Sequence, residues 1–134
     1  SPRAARYGQN FEQYFQEANE NLLTIVQIET KEAISNVEAI AAVEGVDVLF
    51  VGPLDLSVSL GVVNNFEHPD FRSALHKVAA ATQKAGKAAG ILLRGPADIE
   101  RAVSEGFTFL GVGSESMLIA QGMSRIADSF AQYK

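Results

Sequence analysis

At 134 residues, 47% apolar and 20% charged, the chain has the size and composition of one globular domain that can bury a real core. A net charge of −5 argues against a nucleic-acid or anionic-membrane surface, and no apolar run approaches the roughly 18–20 residues that span a bilayer. Without cysteine there is no disulfide framework, thiolate metal site or cysteine nucleophile, which suits a cytoplasmic setting.

Ser1-Pro2-Arg3 is neither an initiator methionine nor a signal peptide, so the chain is expected to be a fragment of a longer protein. Gln9 to Glu20 predicts a short amphipathic helix with Phe11, Tyr14, Phe15 and Ala18 on one face. Leu22 to Ile28 is a continuous run rich in β-branched residues, expected of a strand buried on both faces. Thr30 is placed to cap a helix over Lys31 to Val43, where Ile34, Val37, Ile40 and Ala41 recur with helical period. Gly45 ends that helix and Val46 to Val51 is the next strand.

Gly52 to Asn65 is expected to be a loop with about one helical turn. Pro69 opens a long helix to about Ala85, apolar at Phe71, Leu75, Val78, Ala79 and Thr82. Gly86 stops it, and Ala88 to Leu93 is a third strand. Ala97 to Ser104 is a short helix, Phe107 to Val112 a fourth strand, and Met117 to about Gln132 the closing helix.

The order α-βα-βα-βα-βα implies a parallel sheet with right-handed crossovers. Glu44 to Gly52 is echoed by Glu105 to Gly113 at an offset of 61 residues, and Gly61 falls on Gly122 at the same offset. A repeat separated by two βα units is what a (βα)₈ barrel, or half of one, would show, and four units make about half of such a barrel.

Function in a parallel α/β sheet collects outside the carboxyl ends of the strands. Those ends are Glu29, Gly52 to Ser57, Leu92 to Arg94, and Gly113 to Ser116. Only the first two deliver acids, Glu29 and Asp55, directly from apolar strands. Desolvating a lone carboxylate is costly unless it is paired or binds a cation, and hard oxygen ligands suit Mg²⁺ or Mn²⁺. The competing reading is that Glu29 caps the next helix or pairs with a basic residue. The turn Gly52-Pro53-Leu54-Asp55-Leu56-Ser57 offers backbone amides to a carboxylate, though an unliganded turn fits the same pattern.

Other polar residues narrow the chemistry. Lys31, Lys77, Lys84, Lys87 and Lys134 fall on helices, at a strand start or at the terminus; none projects from mid-strand, where a Schiff-base lysine would sit. His68 and His76, at the start and on the face of the long helix, suit surface or capping roles. Ser57 and Ser59 lack a histidine–acid arrangement beside them. Arg3 and Arg6 flank the opening loop, within reach of an anionic substrate but more often merely solvated in such a place, while Arg94, just past the third strand, is a candidate specificity contact.

These motifs resemble a known family. Val26-Gln27-Ile28-Glu29-Thr30 with Glu32-Ala33, Gly45-Val46-Asp47, Phe50 to Ser57 with Ser59-Leu60-Gly61, Gly86 to Leu92, and Gly111-Val112-Gly113 with Met117-Leu118 together resemble the HpcH/HpaI aldolase/citrate lyase family, across nearly the whole chain. The pattern is most similar to its class II pyruvate aldolases, which act on 4-hydroxy-2-oxo acids or 2-keto-3-deoxy sugar acids; macrophomate synthase is a relative. The resemblance implies a (βα)₈ barrel of which this chain is the C-terminal half, a single domain over residues 1–134. It implies metal ligands Glu29 and Asp55, pyruvate-carboxylate binding by the Leu54 and Asp55 amides, and an apolar substrate contact from Leu92. The divalent ion, Mg²⁺ or Mn²⁺, would chelate the 2-oxo acid and stabilise the pyruvate enolate formed on cleavage.

The family's pyruvate-binding arginine and histidine–acid pair come from the other half of the barrel and match nothing here. Ser114-Glu115 also departs from the apolar-Asp pair usual in relatives. The 134-residue chain alone is therefore expected to be inactive and to need another half or self-association, relatives often forming multimers by exchanging the last helix. Two other functions compete: a citrate-lyase-like cleavage of acyl-CoA thioesters, which would want basic residues near the rim, and a non-catalytic half-barrel binding or assembly module.

Overall fold

The computed structural model describes residues 3–133, apart from the side chain of Gln132. Ser1, Pro2 and Lys134 lie outside the described residues. Four strands, β1 (Ile25–Ile28), β2 (Val48–Val51), β3 (Ala88–Leu93) and β4 (Phe107–Val112), form one sheet in the order β1-β2-β3-β4. All three pairings are parallel. Each strand lies beside its sequence neighbour, so there is no switch point and the sheet winds in one direction, the arrangement of a (βα)₈ barrel rather than a doubly wound sheet.

The helices are α1 (Phe11–Glu17), α2 (Lys31–Ser35), α3 (Val37–Ala41), α4 (Pro53–Ser59), α5 (Pro69–Ala85), α6 (Ile99–Ser104) and α7 (Glu115–Ser129). The core lies between one face of the sheet and the crossover helices: Ile28, Leu49, Val51, Ile91, Leu93 and Phe107 pack with Phe71, Leu75 and Val78 of α5. Helix α5 has the predicted bounds because its ends are chemically marked. The His68 Nδ1 accepts from the Asp70 amide at 3.2 Å, Pro69 occupies the first turn, and Gly86 closes the helix at φ 68°. His68 is thus the cap its position suggested.

The opposite face is open. Across β1, β2, β3 and β4, Gln27, Phe50, Gly90 and Phe109 are in register and share this face. Phe50 and Phe109 meet edge to face with centroids 6.0 Å apart. Strand β1, expected to be buried on both faces, is covered only on its helix side: Ile28 is buried while Ile25 is 42% exposed. Four strands cannot enclose a lumen, so its lining remains at the surface.

Several boundaries differ from the sequence reading. Gly52 to Asn65 holds a seven-residue helix rather than a single turn: Pro53 starts α4, and Leu56 anchors it in the core. The single helix expected over Lys31 to Val43 breaks at Asn36 (φ −104°, ψ 9°) into α2 and α3. A 3-10 turn over Pro96–Asp98 precedes α6, and α1 is shorter than predicted. The closing helix starts two residues early because the Ser114 hydroxyl accepts from the Met117 amide at 3.3 Å. The internal echo maps β2 onto β4, each entered through a left-handed glycine, Gly45 (φ 81°) and Gly106 (φ 93°). It stops there: Gly61 has φ 77°, whereas Gly122 lies inside α7.

Candidate metal and carboxylate site

Ile28 and Val51 are paired at the carboxyl ends of β1 and β2, so Glu29 and Gly52 stand side by side one residue further on. Both point to the open face, in the layer shared by Leu92 and Gly111. Gly52 caps α4, which places Asp55 in the first turn of that helix. A Cβ on Gly52 would lie 3.0 Å from the Glu29 Oε2 and 3.7 Å from the Asp55 Oδ2. The two carboxylates therefore flank one cradle, and only glycine leaves it empty.

The competing role for Glu29 fails on geometry. Thr30 performs the cap instead, its Oγ1 accepting from the Ala33 amide at 3.0 Å, and among the described residues no lysine, arginine or histidine lies within ion-pair distance of Glu29 or Asp55. A half-buried carboxylate beside an exposed one, with no cation between them, repels its neighbour. A divalent cation offsets that repulsion. The donors suit the group in kind, both being hard oxygens, and they are two: among the described residues no group of three or more His, Cys, Asp and Glu is arranged to hold a metal ion. Mg²⁺ and Mn²⁺ take one or two carboxylates and complete their shell with water and substrate oxygens.

The remaining predicted contacts lie around this cradle. Pro53 has no N–H, and the Leu54 and Asp55 amides, in the first turn of α4, have no acceptor among the described residues. Leu54 itself is 56% exposed. Leu92 is half-exposed on the open face and covers Gly111, where a Cβ would meet its Cδ1 at 3.2 Å. Ser57, with no catalytic partners, is a buried structural link: its hydroxyl donates to the Leu54 carbonyl at 2.7 Å and accepts from the Asn64 amide at 3.0 Å. The Ser59 hydroxyl accepts from the Lys31 amide at 2.9 Å, tying α4 to the start of α2.

Arg94 is 70% exposed by side chain, lies 5.1 Å from the Phe66 ring centroid and faces Asp98 at 3.7 Å. A charge network escaped the sequence reading altogether. Arg101 grips Glu67 with two hydrogen bonds of 2.7 and 2.9 Å, and Glu105 bridges Arg101 and Arg72. The hydrogen bond from Arg101 holds the Glu67 carboxyl below its usual range, and Glu67 then Glu105 push the guanidinium further up. The spacing of Glu67, Arg72, Arg101 and Glu105 across two helices and a loop is not a local pattern. By contrast, α4 was signalled by proline after glycine with apolar Leu56 and Leu60 four apart. Arg3 and Arg6 are exposed in a 3-10 segment before α1. Ser114 and Glu115 begin α7 rather than extending the cradle.

The family model for HpcH/HpaI aldolase/citrate lyase matches residues 3–122. The chain is similar to a 5-keto-4-deoxy-D-glucarate aldolase of Klebsiella pneumoniae subsp. pneumoniae, 43% identical over 117 residues that make up 87% of this chain and 46% of that protein. Among solved structures, an HpcH/HpaI aldolase/citrate lyase family protein from Burkholderia cenocepacia superposes with TM-score 0.87 at 35% identity, over 95% of this chain and 49% of that one. Macrophomate synthase shares the fold at TM-score 0.73 and 24% identity, over 90% of this chain and 44% of its own. The chain spans about half the length of the curated relatives it matches.

Proposed function

Because the chain belongs to the HpcH/HpaI aldolase/citrate lyase family, we propose that it supplies the metal- and keto-acid-binding half of a class II aldolase. The reaction is the reversible cleavage of a 4-hydroxy-2-oxo acid, or a 2-keto-3-deoxy sugar acid, to pyruvate and an aldehyde. The C3–C4 bond breaks, its electron pair moves toward the 2-oxo group, the 4-hydroxyl proton leaves, and C3 takes up a proton to give pyruvate. The observation that carries this reading is the cradle at Gly52, with Glu29 and Asp55 on its sides and no cation of the protein between them.

In this account Glu29 and Asp55 hold Mg²⁺ or Mn²⁺, which supplies Lewis-acid stabilisation of charge on the 2-oxo group. The Leu54 and Asp55 amides donate to the substrate carboxylate, the first-turn dipole of α4 adding to the attraction. Leu92 supplies an apolar wall against the methyl end of pyruvate. Neither histidine of the chain is free at this rim to move the hydroxyl proton, since His68 is committed to its cap and His76 is exposed on α5. That group, with an arginine for the keto acid, is assigned to four further βα units closing the barrel over the open face. Residues 1–134 are then the C-terminal half of one domain. The apolar stripe of Leu118, Ile119, Met123 and Ile126 along α7, each more than half exposed, supports self-association through that helix.

No helix of the described residues is long and apolar enough to cross a membrane. The test is exchange of the methyl protons of pyruvate for deuterium by the complete protein with Mg²⁺. Exchange that Glu29→Ala abolishes is expected. Turnover left intact by that substitution would sink the proposal.

A further inference from the structure

Ser57 has its hydroxyl fully engaged within the same short helix that carries Asp55. The residue is 0% exposed. Its Oγ donates to the Leu54 carbonyl at 2.7 Å and accepts from the Asn64 amide at 3.0 Å. Ser35 and Ser104 make the same kind of bond back to a helix carbonyl, but both are exposed and water competes for their hydroxyls. At Ser57 no such exchange is open. The hydroxyl has one proton, and with Asn64 donating to the oxygen that proton goes to Leu54. The loop after α4 is shaped to deliver the Asn64 donor. It turns at Gly61 (φ 77°), and the Val62 amide donates to the Ser57 carbonyl at 2.9 Å. Asn64 then takes a left-handed backbone (φ 56°) that few residues other than glycine, asparagine and aspartate adopt readily.

The carbonyl that Ser57 holds belongs to the peptide joining Leu54 to Asp55. A trans peptide is planar, with its C=O and N–H pointing in opposite directions, and no cis bond occurs among the described residues. Drawing the carbonyl toward buried Ser57 therefore directs the Asp55 N–H the other way, out of the first turn of α4. That N–H has work to do there. Pro53 has no N–H and the Leu56 amide is taken by the Gly52 carbonyl at 2.9 Å, which leaves Leu54 and Asp55 as the donors of this turn. We infer that Ser57 is a positioning residue for the 2-oxo acid: through the Leu54–Asp55 peptide it aims the Asp55 amide at the substrate carboxylate. The inference rests on the function proposed above. The cation ligands answer to other supports. Glu29 is placed by the pairing of β1 with β2, and Asp55 by Pro53 and the Leu56 anchor, neither of which uses the hydroxyl.

The test uses the complete protein loaded with Mn²⁺ and two ligands of one shape, pyruvate and its neutral amide, pyruvamide, with dissociation constants measured by calorimetry. A hydrogen bond to a carboxylate is about twice as strong as one to a neutral carbonyl, so a misaimed Asp55 amide costs pyruvate more. Ser57→Ala is expected to weaken pyruvate binding about five- to tenfold and pyruvamide binding about twofold or less. Its Mn²⁺ affinity without either ligand should stay within about twofold of wild type. Ser57→Cys fills the same space with a weak S–H donor. It should show the same order of losses, which keeps the inference refutable where the alanine protein does not fold. Wild-type affinity for pyruvate in either folded variant overturns the inference. Equal losses on both ligands, or Mn²⁺ affinity falling with them, also overturn it, because Ser57 then only supports the fold. Pyruvate binding by the wild type that does not depend on Ser57 removes this inference alone, whereas a wild type that binds neither Mn²⁺ nor pyruvate removes the proposed function as well.

Discussion

Gly52→Ala probes the cradle without touching either carboxylate. The backbone at Gly52 is extended (φ −91°, ψ 96°), so alanine is accepted there, and the lost glycine entropy of the unfolded chain favours the variant by about 0.4–1 kcal/mol. The new methyl would lie 3.0 Å from the Glu29 Oε2, 3.4 Å from its Cβ and 3.7 Å from the Asp55 Oδ2. The last is ordinary contact, but the first is too close, and the end of the Glu29 side chain gives way most cheaply. The carboxylate swings away from Asp55 while the fold stays intact. Misplacing a ligand in this way typically weakens a metal site about 10- to 100-fold, or about 1.4–2.7 kcal/mol. Mn²⁺ titration followed by electron paramagnetic resonance reads the affinity, and thermal melting of the metal-free protein reads the fold. Gly111→Ala is the control: it lies in the same layer, but its methyl would press the flexible Leu92 at 3.2 Å instead of an acid. Unchanged Mn²⁺ affinity in Gly52→Ala, or an equal loss in Gly111→Ala, would refute the reasoning.

Two further outcomes follow from the packing and the charges. Gly90→Ala should destabilise the chain by about 1–3 kcal/mol in urea unfolding, because its Cβ would sit 2.6 Å from the Phe50 Cδ2 and 3.2 Å from the Phe109 carbonyl oxygen; full stability would mean the open face is looser than its Phe50–Phe109 contact implies. Glu67 has its pKa lowered, chiefly by the hydrogen bond from Arg101. Its contribution is therefore fully present above the ordinary carboxylate value of 4.5 and fades as pH falls through the lowered one. Melting curves of wild type and Glu67→Gln should differ at neutral pH and converge in acid; a gap that widens on acidification would contradict the assignment.

The architecture was legible because its signals are local. Proline at the start and glycine at the end of α5, alternating βα units and the glycine-entered echo of β2 and β4 need only short stretches of chain. Glu29 stands out in the sequence for the same reason, as a lone acid closing an apolar run. What stayed hidden depends on partners distant in sequence. The break at Asn36 falls between Ile34 and Val37, which both lie in the core with residues far away in sequence, and the Arg72–Glu105–Arg101–Glu67 network joins residues more than thirty positions apart. The exposure of β1 was misjudged because a β-branched run tells of burial in a closed barrel and is silent on how many strands are present to close it.

The central claim is that Glu29 and Asp55 share one divalent cation. Mn²⁺ binding to the wild type, Glu29→Gln and Asp55→Asn, measured by calorimetry with and without pyruvate, tests it most directly. The account predicts one site in the wild type, tighter when pyruvate is present, and at least about a tenfold loss in each variant. Equal binding by all three proteins would contradict it.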